Sequence, residues 1–258
     1  MANTDVPKEL KEFSKMFEAL AYEHNAHTLF NDMMTYAIGL FSRGTIDIDV
    51  FEKKYGDNLY KLFTCLIDVY KNEVDTDDSW YDGLGCFYEA IASKYQRSGF
   101  GQFFTPESIV DFMVAINGVT EGEAGSSVLD PACGSARFLI AVQSKKRGLY
   151  LAGQDLDRTC CLMSCLDMAI HGAVGEIVWG DTLAMEYKQG WAINQDLNRT
   201  GMPSVLPLPI EHSRIAAHNR ACIVENEKPE IKIEVPEFPK RDKNQNKNQN
   251  VKTQITLF

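Results

Sequence analysis

A chain of 258 residues, 45% apolar and 24% charged, has the composition of a globular protein and room for one large domain or two small ones. Its net charge of −10 does not advertise a basic nucleic-acid-binding surface but leaves room for local clusters, of which Lys94 with Arg97, and Lys145-Lys146-Arg147, are the candidates. No apolar run approaches the roughly 20 residues that cross a bilayer, the chain is polar and charged through Phe13 where a signal peptide would be apolar, and seven irregularly spaced cysteines point to a reducing cytoplasm.

From about Lys8 to Gln96 the pattern is helical. Phe13, Phe17, Leu20 and Ala21 recur at helical spacing, as do Leu59, Leu62, Phe63 and Leu66. Gly44, Gly56 and the acidic stretch from Asp75 to Asp78 punctuate the helices. Residues 1–98 are therefore expected to form an all-helical N-terminal domain. His24 and His27 stand one turn apart without a third ligand, so they read as surface or core histidines rather than a metal site.

The texture changes at Phe100. Thr105-Pro106-Glu107-Ser108 reads as a helix start, with Thr105 as cap and Pro106 in the first helical position, leading into a helix over Ser108 to Ile116. Ser127 to Leu129 reads as a strand, Ala136 to Lys145 as a helix and Tyr150 to Gln154 as a second strand. A helix from Arg158 to His171, ended by Gly172, and a third strand from Glu176 to Trp179 follow. Strand alternating with helix implies a parallel, doubly wound sheet. Cys160, Cys161 and Cys165 fall in the Arg158 helix without a matching pair or nearby histidines, and are read as buried core, so no metal is expected. Beyond Met185 the pattern fades, apart from a short hairpin around Val205 to Ile210.

Two words organise this half: Gly101-Gln102-Phe103-Phe104-Thr105-Pro106, and Asp130-Pro131-Ala132-Cys133-Gly134-Ser135 between Val128-Leu129 and the apolar run Phe138 to Val142. The second is a strand, a tight turn and a helix, which brings backbone close to a ligand at the strand's carboxyl end. With Phe87-Tyr88-Glu89, Gly153-Gln154-Asp155-Leu156-Asp157, Met168-Ala169-Ile170-His171-Gly172 and Gly180-Asp181-Thr182-Leu183, these words occur in the order used by the N6-adenine DNA methyltransferase family. Over roughly residues 80 to 185 the chain resembles the modification subunits of type I restriction systems.

The resemblance implies a Rossmann-like α/β domain over 99–222 that binds S-adenosylmethionine on a parallel sheet, left incomplete on its C-terminal side. It implies that Asp130 accepts hydrogen bonds from the methionine ammonium, that Asp155 holds the ribose hydroxyls and that Asp181 contacts the adenine amino group. Ala132, Gly134 and Ser135 would bring backbone to the cofactor, and Gln102, Phe104, Thr105 and Pro106 would cover its methionine end, with free donors at the start of the Ser108 helix for the carboxylate. It also implies DNA as substrate and a specificity or complementary methyltransferase subunit as partner. Without the resemblance, Asp130-Pro131 reads as a plain turn, and Asp155 and Asp181 as helix caps. One departure is Ala136, where the family often has glycine.

A second departure concerns the chemistry. The family holds the flipped adenine with an Asn or Asp, two prolines and an aromatic after the fourth strand. No Pro-Pro pair exists in the chain; Asn194-Gln195-Asp196 lacks the prolines and Pro207-Leu208-Pro209 lacks the acid or amide. Three readings stand: S-adenosylmethionine binding without methylation, half of a split enzyme completed by a partner, or an irregular catalytic word. A non-catalytic assembly module is the alternative to a methyltransferase.

Residues 223–258 read as a disordered tail of acids, lysines, prolines and Asn/Gln repeats. It closes with Gln254-Ile255-Thr256-Leu257-Phe258, which resembles the peptide that docks on the bacterial DNA sliding clamp. In that mode Gln254 bonds at a pocket rim while Leu257 and Phe258 fill an apolar cleft.

Overall fold

The computed structural model describes residues 6–94 and 104–226. Five α-helices occupy the first segment: α1 (Lys11–Ala21), α2 (Ala26–Phe41), α3 (Asp49–Tyr55), α4 (Asn58–Glu73) and α5 (Gly83–Lys94). In α1, Phe13 and Phe17 lie one turn apart and fall on the buried face. Helix α2, capped by Asn25 through the Thr28 amide, buries Leu29, Phe30, Met33, Met34 and Ile38 and is enclosed on more than one side. Phe87 of α5 is the hub between them, with its ring edge-on to Phe13 and Phe17 at 4.7 and 5.1 Å.

The second segment begins with α6 (Glu107–Ile116) and continues as β1 (Ser127–Asp130), α7 (Arg137–Lys145), β2 (Tyr150–Asp155), α8 (Arg158–Ile170) and β3 (Val174–Trp179). These elements match the sequence expectation within two residues at each end. One correction falls at the start of α6: Pro106, not Thr105, is the N-cap, and Glu107 is the first helical residue.

The sheet departs from a wholly parallel one. β1, β2 and β3 are parallel neighbours, but β4 (Gln189–Ile193) pairs antiparallel with the outer side of β3, and β5 (Val205–Pro207) antiparallel with β4. The five strands lie in chain order. β4 was illegible in the sequence, and the expected hairpin near Val205 is instead β5 pairing back to β4. A further helix, α10 (Arg214–Asn226), follows a one-turn helix, α9 (Leu197–Thr200). It carries regular structure four residues into what reads as a disordered tail; residues 227–258 lie outside the described residues.

α7 and α8 cover one face of the sheet, against Leu151 and Ile177, and α10 lies on the other, against Ala152 and Val178. Its position is set by Glu176 of β3, which is fully buried. That carboxylate accepts from the Ile215 and Arg214 amides at 2.7 and 3.0 Å, the Ser213 hydroxyl at 2.9 Å and the Tyr150 hydroxyl at 2.9 Å. An acid at a helix start satisfies orphan amides and favours the dipole.

α8 is buried along nearly its whole length and packs between the sheet and α2. Cys160, Cys161 and Cys165 are core residues here, and burial raises each thiol. The buried apolar cluster runs without a break from Leu10 through α8 to Val205, so the helical layer and the sheet share one core.

Candidate cofactor cleft

Asp130 and Asp155 end two adjacent parallel strands, and their side chains lie on the same face because Asp130 pairs in register with Gly153, two residues before Asp155. They line one cavity of about 300 Å³ together with Phe104, Thr105, Ala132, Gly134 and Ser135. That volume is at the lower end for a small-molecule site. A larger cavity of about 600 Å³ between α4, α7 and α8 holds neither acid and is lined mainly by apolar side chains such as Phe41, Phe63 and Ile140.

The turn between β1 and α7 is built around Asp155. Its carboxylate accepts from the Gly134 amide at 2.9 Å and the Asp157 amide at 2.8 Å. Gly134 has φ +55°, and a Cβ there would stand 2.7 Å from the Phe104 ring, so glycine is required on both counts. Ala136 also adopts a left-handed conformation, φ +69°, which is the physical reason glycine is favoured at that position. Burial raises the Asp130 carboxyl, opposed by its bond from the Ala132 amide, and the neighbouring Asp155 charge raises it further. Burial likewise raises Asp155, against the pull of its backbone donors.

Asp181 is placed differently. It does not line this cavity; its Oδ1 accepts from the Leu183 and Ala184 amides at 2.9 and 3.0 Å and so closes its own turn. The turn is nonetheless tied to the β1 turn, because the Thr182 hydroxyl donates to the Pro131 carbonyl at 2.7 Å. Pro106 caps α6 outside the cavity lining. Gln102 lies outside the described residues, as do Arg97, Gln254, Leu257 and Phe258. Of the second basic cluster, Arg147 pairs with Asp77 at 2.8 Å and Lys145 donates to the Asp78 carbonyl at 3.0 Å, so two of its three charges serve a local loop.

Sequence reasoning missed the residues that hold the cleft together. Asp82, fully buried, accepts from Arg137 Nε at 2.7 Å, the Ser135 hydroxyl at 2.6 Å and the Gly85 amide at 2.7 Å. Arg137 also donates to the Thr105 carbonyl at 2.8 Å and reaches Glu89 at 3.4 Å, while Glu89 accepts from the Phe104 amide at 2.9 Å. A Cβ at Gly85 would collide with the Asp82 carboxylate. The available signal was Arg137 itself, a charge at the head of an otherwise apolar helix face.

Residues 79–199 match the family model described as N-6 DNA Methylase. Over that span the chain is similar to N6-adenine DNA methylases of the type I restriction kind. The chain is 34% identical over 137 residues to the type I restriction enzyme MjaVII methylase subunit of Methanocaldococcus jannaschii, a match covering 49% of this chain and 23% of that subunit. It is 36% identical over 122 residues to the EcoEI methylase subunit of Escherichia coli, covering 46% and 24%. The HindI methylase subunit of Haemophilus influenzae is 35% identical over 101 residues, covering 35% and 22%. The chain thus spans about a quarter of the length of these relatives. No solved structure matches it.

One consequence concerns Asp167 of α8, fully buried beside the same network. Burial, then the Asp82 charge, raises its carboxyl well above the ordinary range, and Tyr70 donates its hydroxyl to it. Below about pH 4, where an aspartate in the unfolded chain is protonated, both states carry the proton and there is no cost. Above it the unfolded chain releases the proton first, the folded state binds more protons, and stability falls as pH rises toward the folded value. The neutral Asp167→Asn protein escapes this loss. In urea denaturation from pH 4 to pH 8, its stability relative to wild type is expected to rise with pH, by at most about 1.4 kcal/mol per unit. A pH-independent difference would show that Asp167 is ionised in the fold.

Proposed function

We propose that this chain is an S-adenosylmethionine-binding, adenine-N6 DNA methyltransferase-like protein of a restriction-modification or mobile-element system. The observation that supports it is the pair Asp130 and Asp155 at neighbouring strand tips, sharing one cavity with the Gly134 turn and the Phe104-Thr105 segment. An open α/β sheet binds ligands at the carboxyl ends of its strands, and the cofactor domain, 99–222, is read here as Rossmann-like over β1 to β3. In this reading residues 1–98 form the helical partner layer.

The chemistry of each group suits the ligand. Asp130, held by the Ala132 amide, keeps acceptor positions for the methionine ammonium in this reading. Asp155 accepts from the Gly134 and Asp157 amides and, in this reading, also accepts from the ribose hydroxyls. Asp181 keeps Oδ2 for the adenine amino group while Oδ1 holds the turn. Ala132, Gly134 and Ser135 supply close backbone. Gln102, Phe104, Thr105 and Pro106 cover the methionine end, where α6 begins without a side-chain cap and so leaves amide donors for the carboxylate. DNA is the proposed substrate and a specificity subunit the proposed partner, in the cytoplasm; among the described residues no helix is long and apolar enough to cross a membrane.

Calorimetry with S-adenosylmethionine tests the cofactor site. Wild type is expected to bind and Asp130→Ala to lose tenfold or more, about 1.4 kcal/mol, the scale of a charge-assisted hydrogen bond. No binding by wild type would end the reading. Tritiated methyl transfer to adenine-containing DNA then reports whether the chain acts alone.

The terminal peptide is read as a clamp-docking anchor through Gln254, Leu257 and Phe258. Removing Leu257 and Phe258 is expected to abolish pulldown with purified sliding clamp; unchanged pulldown would exclude the role.

A further inference from the structure

The cavity between α4, α7 and α8 has no part in the cofactor reading. At about 600 Å³ it has twice the volume of the acid-lined cleft at about 300 Å³. Protein interiors pack almost as densely as organic crystals and leave few voids larger than a water molecule. A space of this size falls in the range of small-molecule sites.

Two helical stripes build it. Phe63, Ile67 and Tyr70 lie along one side of α4. Gln143, Ser144 and Arg147 stand three, four and seven residues beyond Ile140, the first two on α7 and the last just past its end. Phe41 and His171 add two more rings, edge-on to Phe63 at 5.7 Å and to Tyr70 at 5.6 Å. Lys71 and Arg147, both exposed, mark the mouth.

The polar atoms of this wall are engaged, with one exception. The Tyr70 hydroxyl donates to Asp167 and accepts from the Leu84 amide. His171 donates from Nδ1 to the Asp167 carbonyl at 2.8 Å and accepts from the Tyr81 amide on Nε2 at 3.4 Å. The Ser144 hydroxyl donates to the Ala141 carbonyl at 2.9 Å. Gln143 is 9% exposed, and its Nε2 donates to the Gly172 carbonyl at 3.2 Å. A carbonyl accepts from the NH₂ end of an amide alone, so this bond fixes which way the side chain is turned. Oε1 is then left buried with no partner among the described residues. Buried acceptors are nearly always satisfied.

We propose that this cavity is a second small-molecule site, which takes a neutral aromatic molecule carrying one N–H donor, with its ring among Phe63, Ile140 and Tyr70 and its N–H on Gln143 Oε1. Ring edges and faces in the wall favour an aromatic guest. A donor that reaches Oε1 supplies the bond that burial denies it, whereas a guest without one leaves it unpaired. A cationic guest does not suit the cavity, because its one lining carboxylate among the described residues, Asp77, is exposed and paired with Arg147. The two sites share no lining residue, so the inference does not depend on what the acid-lined cleft binds.

Isoleucine-methyl NMR on the full chain tests it, with indole and benzothiophene as probes. The two have the same fused-ring shape, with sulfur in the second where the first has N–H. Indole is expected to shift the Ile67, Ile140 and Ile170 methyls saturably. In Gln143→Leu its affinity is expected to fall about tenfold relative to that of benzothiophene, because indole alone uses the acceptor. Gln143→Met, unbranched and similar in length, is expected to give the same result and serves where the leucine variant does not fold. Ile67→Trp, which places a ring in the cavity, is expected to abolish binding of both probes. No saturable shift with either probe in the wild type would overturn the proposal. So would an equal response of both probes to loss of Gln143, or shifts centred on the acid-lined cleft.

Discussion

The fold is organised around one buried ion pair, Arg137 with Asp82. A guanidinium out of water must find a partner for its charge and for its donors, and here the partners come from two other parts of the chain. Asp82 and Glu89 come from the helical layer, and the Thr105 carbonyl from the segment ahead of α6. Asp82 then reaches on to Ser135, in the turn that borders Asp130. A single charge thus ties together three elements that also share the continuous apolar core. Replacing one partner would leave the other ionised and buried, which costs about 3–5 kcal/mol.

The cleft inherits its shape from that constraint. With Arg137 holding the Thr105 carbonyl and Glu89 holding the Phe104 amide, the Phe104 ring is brought over Gly134, close enough that no Cβ fits beneath it. Asp155 pins the same turn from the opposite side. Two carboxylates are left at the bottom of a small cavity with few protein donors, and burial raises both. The proposed ligand, which brings its own cation and hydroxyls, would meet these two acceptors.

Much of this was legible in the sequence where local chemistry dictates local structure. Val128-Leu129 before Asp130-Pro131 and the helical run after Arg137 define a strand, a turn and a helix with no help from the rest of the chain. Asp155 follows from the same logic. The network was not legible, because Asp82 and Arg137 are 55 residues apart and only the fold brings them together. β4 was also missed. Gln189-Gly190-Trp191-Ala192-Ile193 is short and glycine-bearing, and its pairing with β3 is a tertiary event. α10 has a weak apolar stripe, and what holds it is the Glu176 carboxylate, a partner distant in sequence. Asp181 shows how a residue type can satisfy both a site reading and a turn reading, since its carboxylate closes the loop it sits in.

A double-mutant cycle on Asp82→Asn and Arg137→Met, read by urea denaturation, tests whether this pair is the organising interaction. The account expects a coupling of about 2–3 kcal/mol, with the double variant far less destabilised than the two singles summed. Additivity to within about 0.5 kcal/mol would contradict it, because each side chain would then be acting through separate contacts.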